Sequence, residues 1–152
     1  MLESALEKLG ELTGVEVIVV DSASVTDQTS KVANKHGIAA VRCDLPGLSR
    51  ARNAGVEAST GDVVAFTDDD CEPGGDWLLR LAQACIARPR GLTGGHTRNV
   101  LASNPYSSAS QFLVDYRYES FENRADQRFF TCNHMIGSRE GLRVVTVFDE
   151  GS

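Results

Sequence analysis

The sequence predicts a single α/β domain whose mostly parallel sheet is covered by helices on both faces. From the N-terminus to Cys85, short apolar runs alternate with segments of helical periodicity in the order αβαβαβα. Strands that are separated by helices pair in parallel, with right-handed crossovers. The length of 152 residues, with 41% hydrophobic and 24% charged residues, suits one globular domain with a buried core.

The individual elements rest on local patterns of apolar, turn-forming and capping residues. Leucines at three- and four-residue steps predict a helix that starts near Leu2 and is ended by Gly14. The next helices begin at the capping residues Asp27, Ser49 and Asp76. Apolar runs predict strands over residues 15–20, 38–43 and 63–67. The later part of the chain predicts strands over residues 91–100 and 129–132 and helices over residues 107–122 and 139–145.

Composition excludes several classes of protein. The chain carries 15 Lys and Arg against 21 Asp and Glu, a net charge of −6, and has no basic block, so nucleic acid is not an expected partner. No apolar run approaches the roughly 20 residues of a membrane-spanning helix. The four cysteines form no Cys-x-x-Cys pair, which argues against a zinc site and a disulfide framework. We therefore expect a cytoplasmic location and leave open a peripheral association with the inner face of a membrane.

Two of the predicted strands end in polar turns. The segment Asp21-Ser22-Ala23-Ser24 follows the first strand, and Asp68-Asp69-Asp70 follows the third. Ligands of open parallel sheets bind outside the carboxyl ends of the strands. We therefore expect both turns to lie at one edge of the sheet, where a ligand can contact them together.

The adjacent carboxylates of Asp68, Asp69 and Asp70 are the candidate metal site. Like charges at a strand end repel one another, and a divalent cation removes this cost. Mg²⁺ and Mn²⁺ take oxygen ligands, and one or two carboxylates with substrate phosphates complete the coordination shell. Alternate residues of an extended segment point the same way, so Asp68 and Asp70 can face one ligand. The alternative is a solvated acidic turn, which the position directly after a buried strand disfavours.

Three further residues are candidates for nucleotide binding. Asp21 and Ser24 offer hydrogen-bonding groups for a base or a ribose, but both residue types are common in ordinary turns, and this motif alone favours the turn. Arg52, in the first turns of a predicted helix, suits a phosphate, with a solvated helix face as the equal alternative. His134 and the cysteines have no partners at a recognisable spacing and are assigned no role.

These motifs together resemble those of family 2 glycosyltransferases of the GT-A fold. The matching segments are EVIVVDSASVTDQT, GLSRARNAGVEASTGDVVAFTDDDCEPGGDWLLRL and the later pieces RE and FDE. They follow the family's order from Val15 to Glu150, and an ordered set is more specific than any single motif. The resemblance implies a Rossmann-like GT-A fold.

The same resemblance implies a function and site residues. It implies a nucleotide-sugar donor, most often a UDP-sugar, with Mg²⁺ or Mn²⁺ on the diphosphate, and inverting transfer to a hydroxyl acceptor. Asp21 matches the acid that contacts the base, and Asp68 and Asp70 match the metal-binding pair, with Asp69 between them. The other matches are Ser24, Thr26 and Asp27 in the first turn, Arg52 and Asn53 in the helix motif, and Asn133, Arg139-Glu140 and Phe148-Asp149-Glu150 in the acceptor-side segment. The resemblance does not identify the sugar, or whether the acceptor is a sugar, a lipid or a protein.

The chain departs from the family pattern inside two motifs and at both ends. Ser22-Ala23 stands where the family has Asp-Gly, and Thr146-Val147 where it has Gly-Gly. The family's first apolar strand precedes its first helix, and its catalytic base follows Phe-Asp-Glu, so the base is expected beyond residue 152. We therefore expect residues 1–152 to be one GT-A domain that lacks the first strand and the catalytic-base segment. A homodimer through an exposed sheet edge is a further expectation.

Two other functions remain as alternatives. A catalytically inactive module that binds a nucleotide diphosphate would explain the missing base. A nucleotidyltransferase, which uses a similar sheet and an acidic metal site on a nucleoside triphosphate, is the weaker alternative.

Overall fold

The computed structural model describes residues 2–9, 13–89, 91–122, 129 and 131–144. Helices and strands alternate along these residues, which confirms the α/β class. The helices are α1 (Leu2–Leu9), α2 (Gln28–Lys35), α3 (Leu48–Ala58), α4 (Trp77–Ala87), α5 (Pro105–Glu122) and α6 (Arg139–Val144). The strands are β1 (Ile18–Ser22), β2 (Ala39–Cys43), β3 (Val63–Phe66), β4 (Thr93–Gly94) and β5 (Met135–Ser138).

β1 and β2 form a parallel pair, as the helix between them predicts. In this register Val19 lies opposite Ala40, and Asp21 lies opposite Arg42. Helix α2 ends shortly before Gly37, whose φ of 67° is a left-handed conformation that glycine adopts without strain. The local signals therefore place the α2 boundaries correctly.

Helices cover both faces of this strand pair, as predicted. On one face, Leu6 of α1 and Ala33 of α2 pack with Val19 in a buried cluster. On the other face, Val20 lies against α3, where its Cγ2 is 3.3 Å from the position that a Cβ on Gly55 would occupy. Val19 and Val20 point in opposite directions because successive side chains alternate across a strand.

The other three strands form a second sheet in the spatial order β3-β5-β4. The central strand β5 is antiparallel to both neighbours, and its Met135 lies opposite Phe66 of β3 and opposite Gly94 of β4. Helix α4 packs on this sheet through Leu81 and Cys85, which are buried with Ile136. The carboxyl end of β3 therefore lies beside the start of β5.

The pairing of β3 is a correction to the sequence prediction. The sequence predicts a mostly parallel sheet, but within the described residues only β1 and β2 pair in parallel. The chain travels through α4, β4 and α5 before it returns to β3, and a connection of that length permits either strand direction. The strand predicted over residues 129–132 is wrong, because residues 129, 131 and 132 lie outside any strand and residue 130 is not among those described. Of the strand predicted over residues 91–100, the structure has only the two residues of β4, Thr93–Gly94.

Helix α5 has 18 residues, and most of its described side chains are exposed or half-buried. Tyr118 is its buried side chain, and the Tyr118 hydroxyl donates a hydrogen bond of 3.0 Å to the carbonyl of Gly95. The opposite side of α5 exposes Tyr106, Phe112, Leu113 and Tyr116. In the part of the chain that the structure describes, no helix has the length and apolar character to cross a membrane.

Candidate functional site

The acidic turn Asp68–Asp70 follows β3 after one residue, Thr67, at the position where the sequence predicts the metal site. The side chain of Asp68 is 41% exposed, whereas Asp69 and Asp70 are exposed residues of the turn itself. Burial raises the pKa of Asp68, Arg52 lowers it, and the charges of Asp70 and Asp69 raise it further. A positive charge beside this turn would therefore stabilise the ionised carboxylates.

Helix α3 connects the acidic turn to the end of β1. From α3, the Arg52 side chain, only 10% exposed, places Nη2 3.5 Å from Oδ1 of Asp68. At the start of the same helix, the Gly47 amide donates to the Ser22 hydroxyl over 3.1 Å. The two polar turns are thus linked through one helix, although β1 and β3 belong to different sheets in the described residues.

Asp21, the candidate base-binding acid, is buried and already hydrogen-bonded. The Ser24 amide donates to Oδ1 over 2.9 Å, and Nη1 of Arg42 donates to Oδ2 over 2.7 Å. Hydrogen bonds from Ser24, aided by the Arg42 charge, hold the pKa of Asp21 below its ordinary value although burial opposes them. The turn requires Ala23 to adopt a φ of 55°, which a residue with a side chain rarely does.

A cavity of about 300 Å³ opens beside Asp21. It lies between the end of β1, the start of α2 and the β2 residues next to them, and Ser24, Thr26, Asp27 and Arg42 contribute to its lining. The cavity therefore brings together the four residues that match the family's first turn, Asp21, Ser24, Thr26 and Asp27. Arg42, which has no role in the sequence prediction, is the arginine that lines it among the described residues.

Two polar residues precede β5: Asn133 contacts Cys71, the residue after the acidic turn, and His134 packs on Gly95. Asn133 donates from Nδ2 to the Sγ of Cys71 over 3.3 Å, and its buried Oδ1 has no hydrogen-bond partner in the described part of the chain. The His134 ring covers Gly95, where an added Cβ would lie 2.6 Å from Cε1 of the ring. Burial lowers the pKa of His134. His134 is not recognisable from the sequence, because its position over Gly95 depends on the antiparallel pairing of β4 and β5.

Arg139 lies at the other end of β3. Its amide donates to the carbonyl of Asp62 and its Nη1 to the carbonyl of Ser59, each over 2.9 Å. These bonds hold the start of α6 against the loop that precedes β3. The FDE segment, residues 148–150, lies outside the described residues.

No three His, Cys, Asp or Glu side chains form a ready-made metal site within the described residues. The turn Asp68–Asp70 supplies carboxylate oxygens, the ligand type that Mg²⁺ and Mn²⁺ prefer. Substrate phosphates usually supply some of the ligands of these cations. A turn that supplies only part of the coordination shell is therefore compatible with a Mg²⁺ or Mn²⁺ site.

Comparison with known families decides the family of this chain. The family model described as Glycosyl transferase family 2 matches residues 1–145. The chain belongs to glycosyl transferase family 2. The resemblance that the ordered motifs suggest is thereby confirmed.

Two curated proteins are similar to this family 2 chain. It is 33% identical over 139 residues to glycosyltransferase AglE of Haloferax volcanii, which covers 88% of this chain and 41% of AglE. It is 49% identical over 43 residues to the succinoglycan biosynthesis protein ExoM of Rhizobium meliloti, which covers 28% of this chain and 14% of ExoM. The chain therefore spans less than half the length of either relative.

Solved structures show that this family 2 chain has the GT-A fold. The complex of glucosyl-3-phosphoglycerate synthase from Mycobacterium tuberculosis with UDP has a TM-score of 0.64 at 21% identity, covering 91% of this chain and 52% of the synthase. The complex of that synthase with Mn²⁺ and UDP-glucose also has a TM-score of 0.64, at 21% identity. At this level of identity the similarity concerns the fold.

Proposed function

We propose that the chain forms the donor site of a glycosyltransferase that uses a nucleotide-diphosphate sugar, with a UDP-sugar as the expected donor. The observation that carries the proposal is the acidic turn Asp68–Asp70 at the carboxyl end of β3 in a chain of glycosyl transferase family 2. The complexes of the mycobacterial synthase with Mn²⁺ and UDP-glucose support the same class of ligand here. The sugar, and whether the acceptor is a sugar, a lipid or a protein, are left open.

Asp68 and Asp70 would hold Mg²⁺ or Mn²⁺, with Asp69 beside them in the turn. The raised pKa of Asp68 supports this assignment, because a cation would offset the burial and the neighbouring negative charges that raise it. When bound, the metal would stabilise negative charge on the diphosphate as it becomes the leaving group.

The remaining residues of the proposed site orient the nucleotide. Asp21 and Ser24 would contact the base or ribose in the cavity, where Asp21 is kept ionised by its hydrogen bonds. Arg52, which already pairs with Asp68, would contribute positive charge next to the diphosphate. An acceptor hydroxyl, deprotonated by a carboxylate base, would attack the anomeric carbon and displace the diphosphate with inversion.

Calorimetric titration of UDP, with and without Mn²⁺, tests the donor site. We expect UDP binding to require Mn²⁺ and to weaken by at least about tenfold in Asp70→Asn, since a charged ligand is lost. Asp76→Asn is the matched control, because Asp76 is an exposed acid that pairs with Arg80 over 2.6 Å outside the site. UDP binding that is absent in the wild type, independent of Mn²⁺ or unchanged in Asp70→Asn would contradict the proposal.

A further inference from the structure

Helix α1 ends beside the loop that follows the acidic turn. Nζ of Lys8, in the last turn of α1, lies 3.0 Å from Oε2 of Glu72, which comes shortly after Asp70. At the other end of the helix, Glu3 pairs with Lys35 in the last turn of α2. Helix α1 therefore runs antiparallel to α2. Because α2 leads back from the end of β1 to the start of β2, α1 runs in the direction of these strands, towards their carboxyl ends.

The Lys8–Glu72 ion pair connects α1 to the second sheet. Leu6 of α1 is buried with Val19 of β1, so the helix belongs to the core of the first strand pair. Glu72, in contrast, follows β3, which pairs with β5 in the other sheet. The ion pair thus extends from the first sheet to the loop that leaves the acidic turn.

Two ion pairs from different helices bracket the acidic turn. At its start, Nη2 of Arg52 in α3 lies 3.5 Å from Oδ1 of Asp68. Just after its end, Lys8 of α1 holds Glu72. Between them, the Cys71 amide donates to the Asp68 carbonyl over 3.2 Å and closes the turn. These contacts restrict the positions that the exposed carboxylates of the turn can take.

We propose that Lys8 is a positioning residue for the metal site, which holds the acidic turn in place through Glu72 before Mg²⁺ or Mn²⁺ binds. This inference rests on the proposed donor site and adds a residue that does not itself touch the metal. A turn that is ordered beforehand loses less conformational entropy when the cation binds, and its affinity is higher for that reason. Because the two side chains are 45% and 61% exposed, we expect the contribution to be modest, about two- to fivefold in affinity.

The charge of Lys8 by itself predicts the opposite effect on a cation. A positive charge near the turn repels Mn²⁺, so its removal would strengthen Mn²⁺ binding if charge alone mattered. Loss of positioning weakens Mn²⁺ binding instead. The sign of the change in a neutral variant therefore separates the two roles.

Titration of Mn²⁺ without nucleotide, followed by the electron paramagnetic resonance signal of free Mn²⁺, tests the proposal. The binding that is lost in Asp70→Asn defines the site. We expect Lys8→Met to bind Mn²⁺ at this site about two- to fivefold more weakly than the wild type. Lys8→Arg is expected to retain most of the affinity, because it keeps a long cationic side chain that can pair with Glu72. Lys35→Met is the matched control, since it breaks the ion pair at the other end of α1 and should leave Mn²⁺ affinity unchanged.

A double-mutant cycle shows whether Lys8 acts through Glu72. In the Glu72→Gln background the ion pair is already broken, so Lys8→Met should no longer weaken Mn²⁺ binding. If Lys8→Met weakens Mn²⁺ binding equally in both backgrounds, Lys8 does not act through Glu72 and the inference is overturned. Thermal melting checks that each variant is folded, and Lys8→Gln carries the test if Lys8→Met is not.

The remaining outcomes separate this inference from the donor site on which it rests. Unchanged or tighter Mn²⁺ binding in Lys8→Met overturns the positioning role and leaves the donor site standing. If the wild type binds Mn²⁺ only together with UDP, the turn is not held ready before the ligand arrives, so the positioning role again falls and the donor site stands. If the wild type binds neither Mn²⁺ nor UDP, both fall.

Discussion

Replacing Gly95 by alanine is expected to destabilise the chain through its contact with His134. The added Cβ would lie 2.6 Å from Cε1 and 2.7 Å from Nε2 of the ring, whereas carbon atoms in favourable contact are roughly 3.5–4.0 Å apart. The ring would have to move by about 1 Å to restore such a contact. The ring forms a T-shaped pair with Trp77, with ring centroids 6.0 Å apart, and the His134 carbonyl accepts from the Gly95 amide over 3.0 Å. Because the ring is held in this way, we expect overpacking to lower the free energy of unfolding by about 1–3 kcal/mol.

Urea unfolding of a double-mutant cycle isolates this contact. His134→Ala removes the ring, so Gly95→Ala in that background is expected to cost little, and the coupling between the two changes should approach about 1–3 kcal/mol. Gly74→Ala is the control, because a Cβ at Gly74 would meet no atom within 4 Å. If Gly95→Ala costs the same with and without the His134 ring, the assigned contact is refuted.

Three further predictions concern pH, a backbone anchor and a buried thiol. The free energy of unfolding is expected to fall in urea titrations once the pH drops below about 5. The pKa values of Asp21 and Glu16 are lowered, so the stability that these groups provide is present above their unfolded pKa and is lost as the pH falls through the folded one. Asp68, with its raised pKa, acts in the opposite direction, so Asp68→Asn should make this loss steeper, and a flat profile in the wild type would contradict the assignment. Arg139→Met removes a hydrogen bond to the Ser59 carbonyl, and we expect it to lower the free energy of unfolding by about 1–3 kcal/mol. UDP affinity of the folded protein should not change. An altered affinity would indicate that Arg139 has a role in the site. Cys85, whose pKa is raised by burial, should be alkylated by iodoacetamide much more slowly in the native chain than in urea, and equal rates by mass spectrometry would show that it is accessible.

The helices and the first strand pair follow from local signals. Gly37 ends α2, because glycine adopts the left-handed φ of 67° without strain. Asp76 precedes α4 as predicted, although its side chain bonds to Arg80 and does not cap the helix. The parallel pairing of β1 and β2 also follows, since a single helix connects them. In the candidate site, the acidic turn Asp68–Asp70 is recognisable by its position directly after an apolar strand.

The composition of the site beyond that turn depends on pairings between distant segments. Asn133 contacts Cys71, next to the turn, because β5 is antiparallel to β3, and the residues between the two strands carry no signal that sets this direction. The two polar turns were expected at one edge of a single sheet, but the strands that precede them belong to different sheets in the described residues. The turns are instead connected through α3, whose Arg52 pairs with Asp68.

By itself, the sequence determined the order of the elements from α1 to α5, the family and the acidic turn, because these depend on residue types and spacings along the chain. Only the tertiary structure decided that Arg42 pairs with Asp21 and that the His134 ring covers Gly95. Strand register and direction set these contacts, and both result from the packing of the whole chain, since a shift of one residue or a reversal of one strand would place different side chains at the same site.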